Sequence, residues 1–185
     1  MATASNVTAG KPKIGGAIYV AAAGTTLPTD ATTALAAAFK CLGYVSEDGV
    51  TNSNSPSSEN VKAWGGDIVM NLMTEKPDNF SFTLIEALNL EVLKFVYGST
   101  NVTGTLAAGI TITANSSVPE SHVIVIDMIL TDGALKRVVM PCAYISEVGE
   151  ITYKDDEAVG YETTVLCPPD ASGNTHYEYI IKSST

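Results

Sequence analysis

Short apolar runs and alternating apolar and polar positions fill most of the second half of the chain. Both patterns are typical of β-strands when turn residues separate them. They predict strands at residues 109–114, 122–130, 135–147, 150–154, 158–167 and 176–182. Asp132-Gly133 lies between two of the longest runs, which predicts a tight β-hairpin at that point. The second half is therefore expected to be almost entirely β-structure.

The first half mixes strand-like and helix-like patterns. Strands are predicted at 17–22 and 42–46, and 67–74 and 79–85 are predicted to form a hairpin joined through EKPDN. One helix is predicted at 31–39, capped by Thr29 or Asp30. A second, at about 88–97, carries Leu88, Val92, Phe95 and Val96 on one stripe and stops at Gly98.

These elements predict one mainly β domain, a β-sandwich or small barrel with one flanking α-helix, over residues 14–185. Residues 1–13 are small and polar and include Pro12, so we expect an unpacked N-terminal arm. A chain of 185 residues is long enough to bury a substantial core. None of its apolar runs approaches the length of a membrane span, so no membrane partner is expected.

One polar segment interrupts this pattern, residues 47–63. Eight of the ten residues in TNSNSPSSEN, residues 51–60, are Ser, Thr or Asn, and the only tryptophan, Trp64, follows with Gly65 and Gly66. So polar a segment is expected to be a long surface loop, with Trp64 either in the core or fixing the loop's base. A more specific hypothesis is that the loop becomes ordered against a second copy of the protein.

Composition narrows the range of functions. The chain carries 20 acidic and 10 basic residues, a net charge of −10, and no basic run, which argues against specific nucleic-acid binding. Only 16% of residues are charged, as expected if other subunits cover part of the surface. Cys41, Cys142 and Cys167 have neither disulfide nor zinc spacing, and we expect buried free thiols.

No motif with catalytic spacing is present. His122 with Asp127 and a serine could be assembled into a triad only arbitrarily, and Glu147 with Glu150 is a poor glycosidase pair. The acidic run Lys154–Glu157 lacks the alternating order of a calcium loop, and a solvated turn is the better interpretation. We therefore expect no enzyme activity, no cofactor and no metal.

Several short stretches, in chain order from about Lys13 to the C-terminus, carry a resemblance to a known family. They are KIGGAIYVA, LPTDA, LGYVSEDGV, KAWGGD, FTLIEALNLEVLKFVYGSTNVT and GEITYKDDEAVGYETT. Together they resemble the major tail (tail tube) proteins of long-tailed bacteriophages with non-contractile tails. The resemblance implies a β-sandwich or barrel with one helix, and rings of six copies that stack into a tube for the genome.

The resemblance also implies that the long loop reaches a neighbouring ring. The candidates for this inter-subunit contact are Glu47, Asp48, Thr51, Asn52, Ser53, Asn54, Ser55, Pro56, Ser57, Ser58, Glu59 and Lys62. Trp64, Gly65 and Gly66 form the expected loop base. Partners would be other copies of the chain, the tape measure, tail terminator and distal tail or initiator proteins, and passing DNA that is not specifically bound. The protein would be made in the bacterial cytoplasm and reside in the virion tail.

Six copies at −10 give a formal charge of −60 per ring, which would repel DNA phosphates from the bore. We expect some members of an acidic set to face this lumen. The acidic set is Glu147, Glu150, Asp155, Asp156, Glu157 and Glu162.

Two alternatives stay open. One is the tube subunit of a phage-derived bacteriocin or injection system, which has the same architecture. The other is a secreted β-sandwich carbohydrate-binding module that uses Trp64 and tyrosines to stack on sugars. Lys11 and Lys13 precede an apolar stretch with an Ala-x-Ala site, but Gly15, Gly16 and Tyr19 favour a strand there over a signal peptide.

Overall fold

The computed structural model describes residues 2–182. The strands are β1 (Gly10–Pro12), β2 (Ile18–Ala22), β3 (Lys40–Cys41), β4 (Val45–Asn54), β5 (Ser57–Lys62), β6 (Ile68–Glu75), β7 (Asp78–Leu84), β8 (Val102–Thr105), β9 (Gly109–Ile112), β10 (His122–Leu130), β11 (Leu135–Val148), β12 (Tyr161–Leu166) and β13 (Tyr177–Ile181). In this part of the chain they are joined by one α-helix, α1 (Leu90–Tyr97), and three short 3-10 turns.

Nine of the strands form two sheets that share β11, and β5-β6 and β8-β9 form separate two-stranded sheets. Sheet I has the order β3-β2-β10-β11, with β1 also beside β10 and β13 also beside β11. Sheet II has the order β11-β12-β7-β4. The first part of β11 pairs with β10 and its last part pairs with β12, with a register shift in the second pairing. The predicted mainly β fold with one helix is confirmed.

The main core lies between the two sheets. Alternating side chains of β7, among them Phe80, Phe82 and Leu84, are buried against residues of β10 and β11 such as Ile124 and Met140. Burying each such side chain contributes about 1.5–3 kcal/mol to folding. The pattern of one buried and one outward position along β7 is the predicted alternation.

Helix α1 closes one side of this core with Val92, Leu93 and Phe95. The side chain of Asn89 caps its first turn by accepting a hydrogen bond from the Glu91 N–H, and Gly98 ends it with φ 95°. Leu88 lies outside the helix and is 69% exposed, so its assignment to the buried stripe was wrong. The stripe begins one turn later because the chain enters the helix at Asn89.

A second apolar cluster lies on the outer face of sheet I. Phe39 packs on Val123, Val125 and Val139, with Leu35 alongside, so residues between β2 and β3 cover this face. They do not form the helix predicted at 31–39.

The irregular path follows from Arg137, which binds carbonyl oxygens that a helix would use as acceptors, although Asp30 caps the turn as predicted. The carboxylate of Asp30 accepts the N–H groups of Thr32 and Thr33, both at 2.6 Å. The Arg137 guanidinium donates to the carbonyl oxygens of Asp30 and Thr33, both at 2.9 Å. Arg137 is fully buried and also makes a bidentate pair with Asp127, at 2.6 and 2.8 Å.

Some strand predictions need correction. The arm is not unpacked over Gly10–Pro12, because these residues pair with Met128–Leu130 of β10. Residues 150–154 form no strand; they belong to a largely exposed connection that ends where β12 begins. The short hairpin of β8 and β9 was only half predicted, since Val102–Thr105 lacks an apolar alternation.

Candidate intersubunit surface: a projecting β-hairpin

The polar segment is one side of a long β-hairpin and not a structureless loop. β4 pairs with β7, and its continuation β5 pairs with β6, the strand that leads into β7. The prediction that 67–74 and 79–85 pair with each other was therefore wrong. They follow one another along one side of the hairpin, and EKPDN joins them without reversing the chain.

The outer part of this hairpin, residues 55–77, is here called the hairpin arm. Pairing within sheet II ends at Asn54 and Asp78, and every residue of β5 and β6 is exposed. Ten residues separate Asn54 from the far end of the arm at Trp64, which at the usual rise per strand residue is about 30 Å. The arm thus projects from the sandwich, and its two strands pack mainly on each other.

Trp64, Gly65 and Gly66 lie at the tip of the arm, not at a loop base. The turn is closed by hydrogen bonds from the Ala63 N–H to the Asp67 carbonyl (2.8 Å) and from the Gly66 N–H to the Ala63 carbonyl (3.0 Å). Gly65 and Gly66 have φ values of 112° and 100°, which side chains disfavour. Trp64 is fully exposed, at 106% of its reference area, so it belongs neither to the core nor to the root.

Both faces of the arm carry apolar side chains. Cross-strand partners share a face, which places Val61, Met70 and Leu72 on one face with Glu59. The other face carries Met73 beside an amide and hydroxyl cluster in which Asn71 donates to Ser58 and Asn60. All seven residues of Asp67–Met73 are exposed. Five of them are large apolar residues that are 48–66% exposed: Ile68, Val69, Met70, Leu72 and Met73.

The place of β6 on a projecting arm was not predicted. The apolar run IVMNLM predicts a strand, but it lacks the alternation that β7 shows. Apolar residues on both faces beside a mostly polar partner strand are a signal of an arm that meets something outside its own subunit. A two-stranded ribbon with two open edges is only marginally stable alone, and exposed apolar strands are typical interaction sites.

A buried carboxylate fixes the root of the arm. Asp78, 1% exposed, accepts hydrogen bonds from Asn52 of β4 (2.8 Å), from Thr175 (2.6 Å) and from His176 (2.5 Å). Its backbone carbonyl accepts the Cys167 N–H. Burial alone would raise the pKa of Asp78, but the hydrogen bonds from Thr175, Asn52 and His176 outweigh it and the pKa is lowered. The root is therefore tied to both β4 and the segment before β13.

An open groove of about 780 Å³ lies beside the first part of β4. One wall is the chain from β1 to Ala17 and the other is Gly43–Val50, with Ile126 and Met128 also lining it. Ile14 and Tyr44 on its rim are 94% and 74% exposed. This groove could not be predicted from the sequence, because its walls are distant along the chain.

The inter-subunit candidates divide between three places. Glu47 and Asp48 line the groove, and Thr51, Asn52, Ser53 and Asn54 belong to the part of β4 that pairs with β7. The rest lie on the arm: Ser55, Pro56, Ser57, Ser58, Glu59 and Lys62. Every member of the acidic set is exposed. Glu147 and Glu162 lie near the junction of β11 and β12, and the others lie in the connection between these strands.

The residues considered for catalysis are otherwise engaged. Asp127 pairs with Arg137, and His122 packs its ring 5.4 Å from that of Phe95, where burial lowers the pKa of the imidazole. Within residues 2–182 no group of three or more potential metal ligands comes together, and no helix is long and apolar enough to cross a membrane. Cys167 is a buried thiol whose pKa burial raises to about 12.

Comparison with known proteins supports one family. No curated protein sequence matches the chain. The family model described as phage tail tube protein matches residues 4–184, nearly the whole length. This is a structural family and not an enzyme family. A match of this extent, on a mainly β fold with one helix and a projecting arm, means that the chain belongs to the phage tail tube protein family.

Proposed function

We propose that this protein assembles into rings of six copies, and that the rings stack into the tube through which a long-tailed, non-contractile phage delivers its genome. The observation that carries the proposal is the hairpin arm, which exposes Trp64 and the apolar side chains of β6 to solvent. Family membership supports a structural role in the virion tail. It favours a tube subunit over a carbohydrate-binding module, although a bacteriocin tube would have the same subunit.

Stacking through an arm explains how a tube can be strong while single contacts are weak. Ordering a flexible ribbon costs conformational entropy, so one arm binding one neighbour gives little net affinity. When one ring meets another, six arms bind together, and each contact raises the effective concentration for the next. A lone subunit at low concentration therefore stays unassembled, and assembly starts where an initiator, such as a distal tail protein, or a high protein concentration supplies a complete ring.

The bore is proposed to be lined by the outer face of sheet II. This face carries short polar side chains, including Ser81 and Thr164, whose hydroxyl groups are 2.8 Å apart, with Thr83 and Glu162 beside them. The outer face of sheet I is instead covered by residues between β2 and β3. A surface of hydroxyls and carboxylates has no cations to hold phosphates, so DNA would slide past it without binding.

Other tail proteins would complete the assembly. The tape measure protein would occupy the bore before the DNA, and the tail terminator would cover the last ring. The tail terminator at one end and the distal tail protein at the other would each meet a surface that the subunits also use among themselves, since a tube has one exposed ring at each end.

The test is electron microscopy of the concentrated protein and of one arm-less variant. Replacing residues 55–77 by Asn-Gly joins Asn54 to Asp78, which are already paired, through a two-residue turn. We expect hollow tubes from the natural chain, and a folded variant with unchanged circular dichroism that forms no tubes. Deleting 51–59 instead would be a poorer variant, because it removes Asn52 from the Asp78 network.

A matched pair of point variants separates the tip of the arm from an exposed aromatic residue outside the arm. Trp64→Ala removes a side chain with no contacts to lose in the monomer, and Tyr153→Ala removes an aromatic residue of 75% exposure elsewhere. Only the first is expected to reduce tube formation. Tubes of normal length from the arm-less variant would reject the assignment of the arm.

A further inference from the structure

We infer that the groove beside β4 receives the tip of another copy's hairpin arm, with Trp64 of that copy as the anchor. The inference rests on the proposed function and adds to it the surface that the arm binds. It is supported by the apolar content of the groove, by a hydroxyl group without a partner, and by the arrangement of charges.

The groove suits a large aromatic side chain. Its volume of about 780 Å³ exceeds what one side chain fills, so the whole turn from Ala63 to Asp67 can enter with Trp64. Ile126 and Met128 line its interior, and Ile14 and Tyr44 stand exposed on opposite walls. Tryptophan is the residue most often found as the anchor of a protein interface, because it buries a large area and loses little conformational freedom.

A polar group without a partner lies in the wall of the groove. The Ser46 hydroxyl is buried and has no hydrogen-bond partner. Among residues 2–182 it is the one buried side-chain polar atom in this situation. Ser46 lines the groove. An indole N–H is a donor that requires an acceptor when buried, and rotation of the Ser46 side chain would offer its oxygen to a docked Trp64.

Charges on the tip and on the groove are complementary. Lys62 ends the first strand of the arm and Asp67 begins its return, so one cation and one anion flank Trp64. The two groove walls carry opposite charges, Glu47 and Asp48 on the β4 side and Lys11 on the β1 side. Docking with Lys62 toward β4 and Asp67 toward β1 matches both pairs, and the reverse orientation opposes both.

The location of the groove makes this contact self-propagating. The groove borders the start of β4, and the tip lies at the far end of the same hairpin. A tip-to-groove contact therefore joins two different surfaces, and each added copy presents a new free tip or a new free groove. Such a heterologous contact builds an open stack wherever the rotation between successive copies does not close it into a ring.

Engineered disulfides test the contact directly in assembled tubes. In a chain with Cys41 and Cys142 changed to serine, Ala63→Cys is combined with either Ile14→Cys or Tyr44→Cys, which leaves Trp64 in place. Cysteines form a bond only when their Cα atoms come within about 7 Å. We expect a ladder of oligomers on non-reducing gels that reducing agent collapses. The matched control is Ala63→Cys with Leu106→Cys, an exposed residue outside the groove, and should give no ladder.

A charge exchange gives a second, independent readout. Lys62→Glu should abolish or sharply reduce tube formation, and adding Glu47→Lys with Asp48→Lys should restore it, because the matched pair is recreated with reversed signs. Lys154→Glu, which breaks only an exposed ion pair with Glu157, should leave tubes unchanged.

The outcomes separate this inference from the proposed function. Tubes that form without a ladder from either groove position would overturn the groove assignment and leave the tube itself standing. A ladder from Ser5→Cys in the exposed N-terminal arm to Tyr44→Cys, with none from Ala63→Cys, would assign the groove to another segment and also overturn it. If the natural chain forms neither rings nor tubes, the proposed function fails, and this inference fails with it.

Discussion

Removing the Asp78 carboxylate is the most direct perturbation of the arm's root. Asp78→Ala deletes the acceptor of hydrogen bonds from Asn52, Thr175 and His176. A hydrogen bond to a charged group contributes about 1.5 kcal/mol or more net, so three give at least about 4–5 kcal/mol. Part of this is recovered, because a buried charge is removed and Asn52 is exposed enough to bond to water. We expect a net loss of about 3 kcal/mol.

Thermal and urea unfolding of unassembled protein measures this loss. For a chain of this size, about 3 kcal/mol corresponds to a fall in Tm of about 6–12 °C. Asp156→Ala is the matched control, since this aspartate is exposed and should change stability by less than about 0.5 kcal/mol. A loss below about 1 kcal/mol for Asp78→Ala would refute the reasoning, because it would mean that the network contributes no more than a surface contact.

The same carboxylate has a pH signature. Its pKa is lower in the folded protein than in the unfolded chain, so its stabilisation is fully present above the unfolded value of about 3.9. The stabilisation is lost as pH falls through the folded pKa. The stability difference between the natural chain and Asp78→Ala should therefore shrink as the pH falls below about pH 4.

Three further predictions concern other parts of the molecule. Arg137→Ala should cost about 3–5 kcal/mol in urea unfolding because it leaves Asp127 buried without its bidentate partner, and a loss under about 1 kcal/mol would contradict this. Cys167 should resist a thiol reagent until the protein unfolds, whereas the half-buried Cys142 reacts in the native protein; equal rates would show that the core opens readily. Reversing several members of the acidic set to lysine should leave tubes intact and slow or block DNA ejection, and normal ejection would reject a lumenal position.

The β-sandwich was predictable because its signals are local. β7 alternates strictly between buried and outward residues, and β10 and β11 flank a turn whose Asp132 takes φ 69°. Helix α1 has its cap, its stripe and its terminal glycine within one short segment. Each of these features is decided by neighbours in sequence, and patterns read along the chain detect them.

The arm and the covering segment were not predictable in the same way. Residues 31–39 have high helix propensity, but Arg137, far away in sequence, binds the carbonyl groups near their start. TNSNSPSSEN lacks every apolar signal of a strand, and it becomes one only because β6 and β7 lie beside it. The position of Trp64 follows from that pairing. A tryptophan followed by two glycines fits a loop base and a hairpin tip equally well until the partner strand is known.

An exposed apolar ribbon with open edges should aggregate unless something restricts its partners. On the arm, Glu59, Lys62, Asp67 and Glu75 interrupt the apolar surface, and charges on exposed strands discourage random pairing. The net charge of −10 adds a repulsion between copies that is independent of orientation. Attraction must therefore come from a surface that matches the tip in both shape and charge. The groove offers such a match only at one defined site. The charges that keep the exposed arm from random pairing therefore also direct it to the groove of another copy.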